Sequence, residues 1–140
     1  MFFAKKKKKR GFTLIELLVV IAIIGILATI VIVNVNTARN RANDVAIKAA
    51  LDQVRTQAEL YYDTNSSSYD LLSTTVPTDM ATIGAAITSN GGTNFTVYEI
   101  NTAYCAEATL KTLTEWCVDS TGYAGATAVC DAGTADCATE

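Results

Sequence analysis

The sequence predicts an α+β fold in which one long amino-terminal helix packs, through its second half, on a small antiparallel sheet. Three observations predict this fold. Residues 12–33 are almost wholly apolar, and residues 34–62 continue as helix formers with one apolar face. Short segments of alternating apolar and polar residues follow after residue 92. A chain of 140 residues suits one domain with a modest core.

Residues 1–11 form a basic leader ahead of the helix. It holds six of the eleven basic residues, in the consecutive run Lys5, Lys6, Lys7, Lys8, Lys9 and Arg10. Beside an apolar segment, such a run predicts that this end stays in the cytoplasm. A nucleic-acid patch is the alternative. Without the leader, however, five basic residues face fourteen acidic ones, so we expect no nucleic-acid partner.

Residues 12–33 are predicted to form a membrane-spanning or filament-core helix. About 22 apolar residues suffice to cross a hydrocarbon core of roughly 30 Å. Apolar side chains occupy every face, which predicts burial all round, in lipid or among neighbouring helices. An ordinary secretory signal carries its small residues after the apolar region, whereas Gly11 lies before it.

One charge, Glu16, interrupts the apolar segment. An acidic residue at the centre of a membrane helix costs roughly 2.5–3.5 kcal/mol and tends to be functional. The alternative is a position near the lipid headgroups, where the cost is small. Residues 12–33 contain no Lys or Arg, so a partner cation would have to be a new amino terminus at Phe12 of another copy.

The segment Gly11–Leu17 reads Gly-Phe-Thr-Leu-Ile-Glu-Leu after the short basic leader, and it resembles the processing signal of type IV prepilins and pseudopilins. The resemblance implies a pilin-like fold, cleavage by a prepilin peptidase between Gly11 and Phe12, and N-methylation of Phe12. It also implies that Glu16 docks the subunit into a filament. Many members of this family carry a proline near the end of the apolar helix, whereas the only proline here is Pro77.

Residues 34–62 are predicted to continue the same helix, from Phe12 to about Tyr62. The apolar residues on one face are Ile47, Leu51, Val54, Ala58 and Tyr61, at helical spacing. The polar residues expected largely on the other faces are Arg39, Arg41, Asp44, Asp52 and Arg55. This half therefore carries the head domain, residues 63–140.

The head domain is predicted to begin with a loop at residues 65–68, followed by a long irregular connection with a short helix near residues 80–87. Strands are predicted at about residues 95–100, 104–110 and 115–119. A hairpin of the last two strands, centred on Lys111, would place their apolar faces on the helix.

Four cysteines, Cys105, Cys117, Cys130 and Cys137, lie in the last 36 residues. An even number beyond a membrane segment favours disulfides. Zinc is the alternative, but no Cys-x-x-Cys pair and no His occur. The hairpin centred on Lys111 predicts the pairs Cys105–Cys117 and Cys130–Cys137. The same register opposes Glu107 and Glu115, which is unfavourable.

No other pattern indicates catalysis or a ligand. No nucleophile–base constellation appears, so we expect no enzymatic activity, cofactor or metal. Asp131 and Asp136 could bind calcium, but we expect a solvated acidic loop instead. Asn65-Ser66-Ser67 and Asn94-Phe95-Thr96 fit glycosylation sequons, which are common by chance.

The sequence therefore predicts a structural subunit of a type IV pilus-like filament. The expected partners are other copies, other pilins, a prepilin peptidase and methyltransferase, and a pilus or type II secretion assembly machinery. The expected location is the cytoplasmic membrane before assembly and a surface filament afterwards. The alternatives are a type II secretion pseudopilin, a competence pilin that takes up DNA, and a membrane-anchored binding domain that never polymerises.

Overall fold

The computed structural model describes residues 11–126 and 128–139. The basic run Lys5–Arg10 lies outside the described residues, so its role in orientation stays a prediction. The elements are α1 (Leu14–Thr64), α2 (Thr78–Ser89), β1 (Thr93–Ile100), β2 (Ala103–Thr109), β3 (Glu115–Asp119), β4 (Ala124–Ala126), β5 (Ala128–Asp131) and β6 (Asp136–Thr139). A long helix, a short helix and small antiparallel sheets confirm the α+β fold.

The described residues divide into two compact units, and the boundary lies between Thr37 and Ala38. In the first unit, the large apolar side chains from Phe12 to Val35 are all exposed. An 18-residue window of α1 has a mean hydropathy of 3.0, and none of it is buried. By length and composition, this helix can therefore cross a membrane.

The core of the second unit lies between α1, α2 and one face of the sheet. On α1, the side chains of Ile47, Leu51, Val54 and Ala58 are fully buried, as the helical spacing predicts. The buried residues from the other elements include Met80, Ile83, Ile87, Tyr104, Ala106, Ala108, Leu110 and Val118. Since side chains alternate along a strand, the opposite face of β2 and β3 carries Cys105 and Cys117.

The four-stranded sheet has the antiparallel order β1-β2-β3-β4, and β5 and β6 form a separate hairpin. The predicted register of β2 and β3 is wrong by two residues: Glu107 lies opposite Cys117, and Glu115 lies opposite Thr109. The hairpin is therefore centred on Thr112 rather than Lys111. This register separates the two glutamates, which removes the repulsion of the predicted one.

Asp44 fixes this turn to the helix. Its carboxylate accepts hydrogen bonds from the Thr112 N–H at 3.2 Å and the Thr112 hydroxyl at 2.6 Å. The expectation that Asp44 lies away from the core face is wrong, because its side chain is only 8% exposed. Its burial is compensated by these two bonds, since a buried carboxylate needs hydrogen-bond donors.

Candidate functional site

The first candidate site is the start of α1, where Thr13 and Glu16 cap the helix reciprocally. Glu16 Oε2 accepts hydrogen bonds from the Thr13 N–H and hydroxyl, both at 2.8 Å. The Glu16 N–H in turn donates to Thr13 Oγ1 at 3.3 Å. This is a capping box, in which two residues three apart satisfy backbone N–H groups that the first helical turn leaves unpaired. Glu16 stands out in the sequence as a charge in an apolar segment, whereas the role of Thr13 is evident only from the structure.

The cap orients the Glu16 carboxylate and leaves one of its oxygens available. Both bonds from Thr13 reach Oε2, and Oε1 has no hydrogen-bond partner within the described residues. The surrounding side chains are exposed and apolar, among them Phe12, Leu14 and Ile15. A carboxylate on an apolar surface with free lone pairs can accept hydrogen bonds from an ammonium group.

The bond between Gly11 and Phe12 lies just ahead of the capped helix. Residues 11–13 are non-helical and exposed. The space beside the Gly11 Cα is open, with no other described atom within 4 Å of where a Cβ would lie. This bond is therefore sterically accessible to a peptidase.

The second candidate site holds the four cysteines. The predicted pairs Cys105–Cys117 and Cys130–Cys137 are wrong: the disulfides are Cys105–Cys130 and Cys117–Cys137, with Cα–Cα distances of 5.7 and 5.9 Å. Cys130 and Cys137 do lie opposite each other on the β5–β6 hairpin. In the observed register, however, Cys105 and Cys117 face Asp119 and Glu107 instead of each other. Each sheet cysteine therefore bonds to the hairpin.

A carboxylate accompanies each disulfide. The Cys130 N–H donates to Glu107 Oε2 at 2.7 Å, and the Cys137 N–H donates to Asp119 Oδ2 at 3.0 Å. The segments 105–107 and 117–119 both read Cys-x-acid, so cysteine and carboxylate share one strand face. We call this group of four cysteines and two acids the cystine platform. The repeated Cys-x-acid pattern is the sequence signal that could have indicated it.

Asp119 is the most enclosed acid of the cystine platform, at 3% exposure. Burial alone would raise its pKa, but hydrogen bonds from Thr121, Cys137 and Tyr123 outweigh burial and hold the pKa below its usual value. Oδ1 accepts from the Thr121 N–H, the Thr121 hydroxyl and the Tyr123 N–H at 2.7–3.0 Å. Asp119 thus joins β3, the turn after it and β6.

Replacing Asp119 by Asn is expected to destabilise the second unit by about 2 kcal/mol at neutral pH, because an amide cannot accept from both sides of the group. Because the pKa of Asp119 is lower in the folded state than in the unfolded state, the ionised carboxylate stabilises the fold. This stabilisation is fully present above the unfolded-state pKa, which is near 4, and it is lost as the pH falls through the folded-state pKa. The loss should therefore shrink below about pH 4. Denaturant unfolding in detergent, followed by Trp116 fluorescence, measures it. Asp52→Asn, at an exposed position, is the matched control, and an equal loss in both would contradict this role.

The remaining candidates are engaged locally. Asp131 accepts from the Gly133 N–H, and Asp136 accepts from the Thr134 hydroxyl. Within the described residues, no three His, Cys, Asp or Glu side chains group so as to hold a metal ion. The Asn65 amide donates to the Ser68 and Asp70 carbonyls, and the Asn94 amide donates to the Thr109 hydroxyl.

Comparison with known proteins finds one family model and several relatives that match part of the chain. Residues 6–32 match the family model for the prokaryotic N-terminal methylation motif. Over 61 residues, the chain is 49% identical to the type IV wide pilus major component PilA4 of Thermus thermophilus, covering 44% of this chain and 47% of that protein. It is 41% identical over 61 residues to the competence protein ComGC of Streptococcus pneumoniae, covering 44% and 56%.

A further relative is the type II secretion system core protein G of Escherichia coli, 38% identical over 72 residues, which covers 46% of this chain and 50% of that protein. The chain thus spans about half the length of the curated relatives it matches. No solved structure matches it. By its methylation motif and these relatives, the chain is similar to type IV pilins and pseudopilins over part of its length.

Proposed function

We propose that this chain is the precursor of a structural subunit of a type IV pilus-like filament. A prepilin peptidase cuts it between Gly11 and Phe12, the new amino terminus is methylated, and the subunit then joins the filament through α1. The single observation that carries this proposal is the capped, apolar helix start. There, one free oxygen of Glu16 lies on an otherwise apolar surface, beside the new amino terminus.

The apolar surface at the start of α1 has no covering within the fold of the described residues, and assembly would provide one. From Phe12 to Val35 the large apolar side chains are exposed, so they need lipid or other apolar helices around them. Before cleavage, the basic leader occupies the end of the chain. Cleavage creates an ammonium group at Phe12, which Glu16 of an adjacent copy accepts. In an apolar environment this attraction is stronger than in water, although desolvation offsets part of it.

The precursor is anchored in the cytoplasmic membrane, and the second unit lies outside it, where the two disulfides form. The partners are other copies, other pilins, the peptidase and methyltransferase, and the assembly machinery. We propose no catalytic role for the chain. The similarity to the E. coli secretion protein favours a second candidate, a pseudopilin that assembles within the envelope.

An intact mass measured on protein sheared from native cells tests the proposal. We expect a chain that starts at Phe12, one methyl group heavier and, with two disulfides, four hydrogens lighter than the reduced sequence. Recovery of this species in long extracellular fibres supports a pilus, and its retention in the envelope supports a pseudopilin. An uncut chain confined to membranes would overturn both and favour the anchored, non-polymerising domain.

A further inference from the structure

The two disulfides of the cystine platform are in contact with each other. Cys117 Sγ and Cys130 Sγ belong to different disulfides, yet they lie 3.6 Å apart. Non-bonded heavy atoms at about this separation touch, with no space for another atom between them. The four sulfur atoms therefore form one continuous series, in the order Cys105, Cys130, Cys117 and Cys137.

Such a series has the arrangement that disulfide exchange needs. In exchange, a thiolate attacks one sulfur of a disulfide, forms a new S–S bond with it and displaces the other sulfur as a thiolate. A Cys117 thiolate released from Cys137 would already touch Cys130. Its attack there forms Cys117–Cys130 and displaces Cys105 as a thiolate, so the numbers of disulfides and of thiolates are unchanged.

The register of β2 and β3 excludes the competing product, Cys105–Cys117. Cys105 lies opposite Asp119, two residues beyond Cys117, so the two cysteines are diagonal neighbours on adjacent strands. Diagonal Cα atoms lie about 7–8 Å apart, and cysteines whose Cα atoms are more than about 7 Å apart cannot be bridged unless the backbone moves. In the folded unit, a Cys117 thiolate is therefore directed to the Cys130 sulfur.

Hydrogen bonds hold the β5–β6 hairpin in place while the sulfurs exchange. Glu107 on β2 accepts from the Cys130 N–H, and Asp119 on β3 accepts from the Cys137 N–H. Neither bond involves a sulfur atom, so both persist whichever sheet cysteine is bonded to Cys130. The backbone of the hairpin therefore stays beside β2 and β3 during the exchange.

Accessibility determines where an external thiol enters. Cys105 and Cys117 are fully buried, whereas Cys130 and Cys137 on the hairpin are partly exposed. An external thiolate therefore reaches the hairpin sulfurs first. Its attack on Cys137 joins the external sulfur to Cys137 and releases Cys117 beside Cys130.

Loop length gives neither partner of Cys130 a strong advantage. The disulfide Cys105–Cys130 spans 25 residues, and Cys117 and Cys130 are 13 residues apart. Halving the length of a loop favours its closure by only about threefold. Both bonded forms are therefore expected in comparable amounts whenever a free thiolate allows exchange.

We propose that the cystine platform is an internal disulfide-exchange site, at which Cys130 passes between Cys105 and Cys117. An external thiol starts the exchange by attacking Cys137, and Cys117 then displaces Cys105 from Cys130. At each stage one disulfide joins the hairpin to the sheet, so the hairpin is never detached. The reverse step lets Cys105 displace Cys117 from Cys130, which corrects a first disulfide formed on the wrong sheet cysteine. The exchange takes place within the second unit and does not depend on the proposed function.

The variant Cys137→Ser tests the exchange without any external thiol, because it leaves Cys117 as a free cysteine. The full chain is purified in detergent, incubated at mildly alkaline pH, which favours the thiolate, then quenched with acid and alkylated. We expect two products in amounts within about tenfold of each other. One is Cys105–Cys130 with Cys117 alkylated, and the other is Cys117–Cys130 with Cys105 alkylated.

Peptide mapping and fluorescence identify the products in folded chains. Lys111, Asp119 and Asp131 lie between successive cysteines, so cleavage at lysine and aspartate places each cysteine on its own peptide. The disulfide then joins two peptides, and the alkyl group marks the free cysteine. Trp116 fluorescence confirms that the second unit is folded.

The same variant unfolded in urea is the control for proximity. Without the fold, Cys117 can attack either sulfur of Cys105–Cys130, so Cys105–Cys117 should form as well. In the folded chain, Cys105–Cys117 should be at least about tenfold rarer than Cys117–Cys130, because the register excludes it. Folded chains in which only Cys117 is alkylated, or in which Cys105–Cys117 is as abundant as Cys117–Cys130, would overturn the proposal.

The variant Cys105→Ser approaches the same contact from the other side, and it keeps the test available if Cys137→Ser does not fold. It frees Cys130, which is expected to attack Cys117 and to displace Cys137 as the alkylated cysteine. The disulfide Cys130–Cys137 with Cys117 alkylated would show that exchange bypasses the observed contact. Either that product alone, or Cys130 as the only alkylated cysteine, would reject the proposed exchange site.

Discussion

Replacing Glu16 with alanine is expected to leave cleavage at Gly11 intact and to reduce filament yield by at least about 100-fold. The reason is that the amine at Phe12 of the adjacent copy would then be buried without its counter-charge. Removing one partner of a buried ion pair costs about 3–5 kcal/mol, and each 1.4 kcal/mol is a factor of ten in association. Intact mass of the membrane fraction reports cleavage, and electron microscopy of the sheared fraction reports assembly.

Two matched variants separate the charge of Glu16 from its role in the helix cap. Glu16→Gln keeps a side chain that suits the capping box but removes the charge, so it should fail to assemble, like Glu16→Ala. Thr13→Val removes the two hydrogen bonds of the cap that involve the Thr13 hydroxyl, yet keeps the carboxylate and the Thr13 N–H that donates to it. A lost helix cap costs about 1 kcal/mol, so the filament yield of this variant should fall by less than about tenfold. Normal assembly of Glu16→Gln would remove the electrostatic role.

The parts of the structure that the sequence predicted are those specified by local pattern. The apolar residues from Ile47 to Ala58 recur every three or four positions, which predicts one buried helical face, and α1 does bury these side chains. The processing segment is equally local, because leader charge, Gly11 and Glu16 lie within about a dozen residues. The family match at residues 6–32 covers the same stretch.

The register of the β2–β3 hairpin could not be predicted from local sequence pattern. It depends on Asp44, which lies 68 residues from the threonine it binds. An acidic residue on a helix is ordinarily expected to face water, so nothing nearby in the sequence marks Asp44 as an anchor. A shift of the hairpin centre from Lys111 to Thr112 was enough to change which residues face Cys105 and Cys117.

The disulfide pairing was predicted wrongly for two reasons. The register of the β2–β3 hairpin was wrong, and the low strand propensity of the last residues hid the strands β4, β5 and β6. The tail from residue 122 is rich in Ala, Gly and Thr, and Ala and Gly have low strand propensity. Strand β4 is held by pairing with β3, whereas β5 and β6 pair with each other and are joined to the sheet by the two disulfides. Without these strands, a prediction can only pair each cysteine with its neighbour along the chain.

Removing a disulfide from the cystine platform is expected to cause the largest loss of stability in the second unit. Cys105–Cys130 and Cys117–Cys137 span 25 and 20 residues, and loops of this length contribute on the order of 3 kcal/mol each. Cys117→Ala with Cys137→Ala removes one disulfide and should lose about that amount. Urea unfolding in detergent, with Trp116 fluorescence as the probe, measures the change.

A variant with the same number of substitutions tests the pairing as well as the energy. Cys105→Ala with Cys117→Ala removes one partner from each disulfide, so it should lose about twice as much and leave Cys130 and Cys137 without their sheet partners. If instead the pairs were Cys105–Cys117 and Cys130–Cys137, this variant would be the milder of the two. The order of the two losses therefore decides the connectivity. Because Glu107 and Asp119 bind the hairpin beside each disulfide, part of the hairpin contact should survive in the single-disulfide variant.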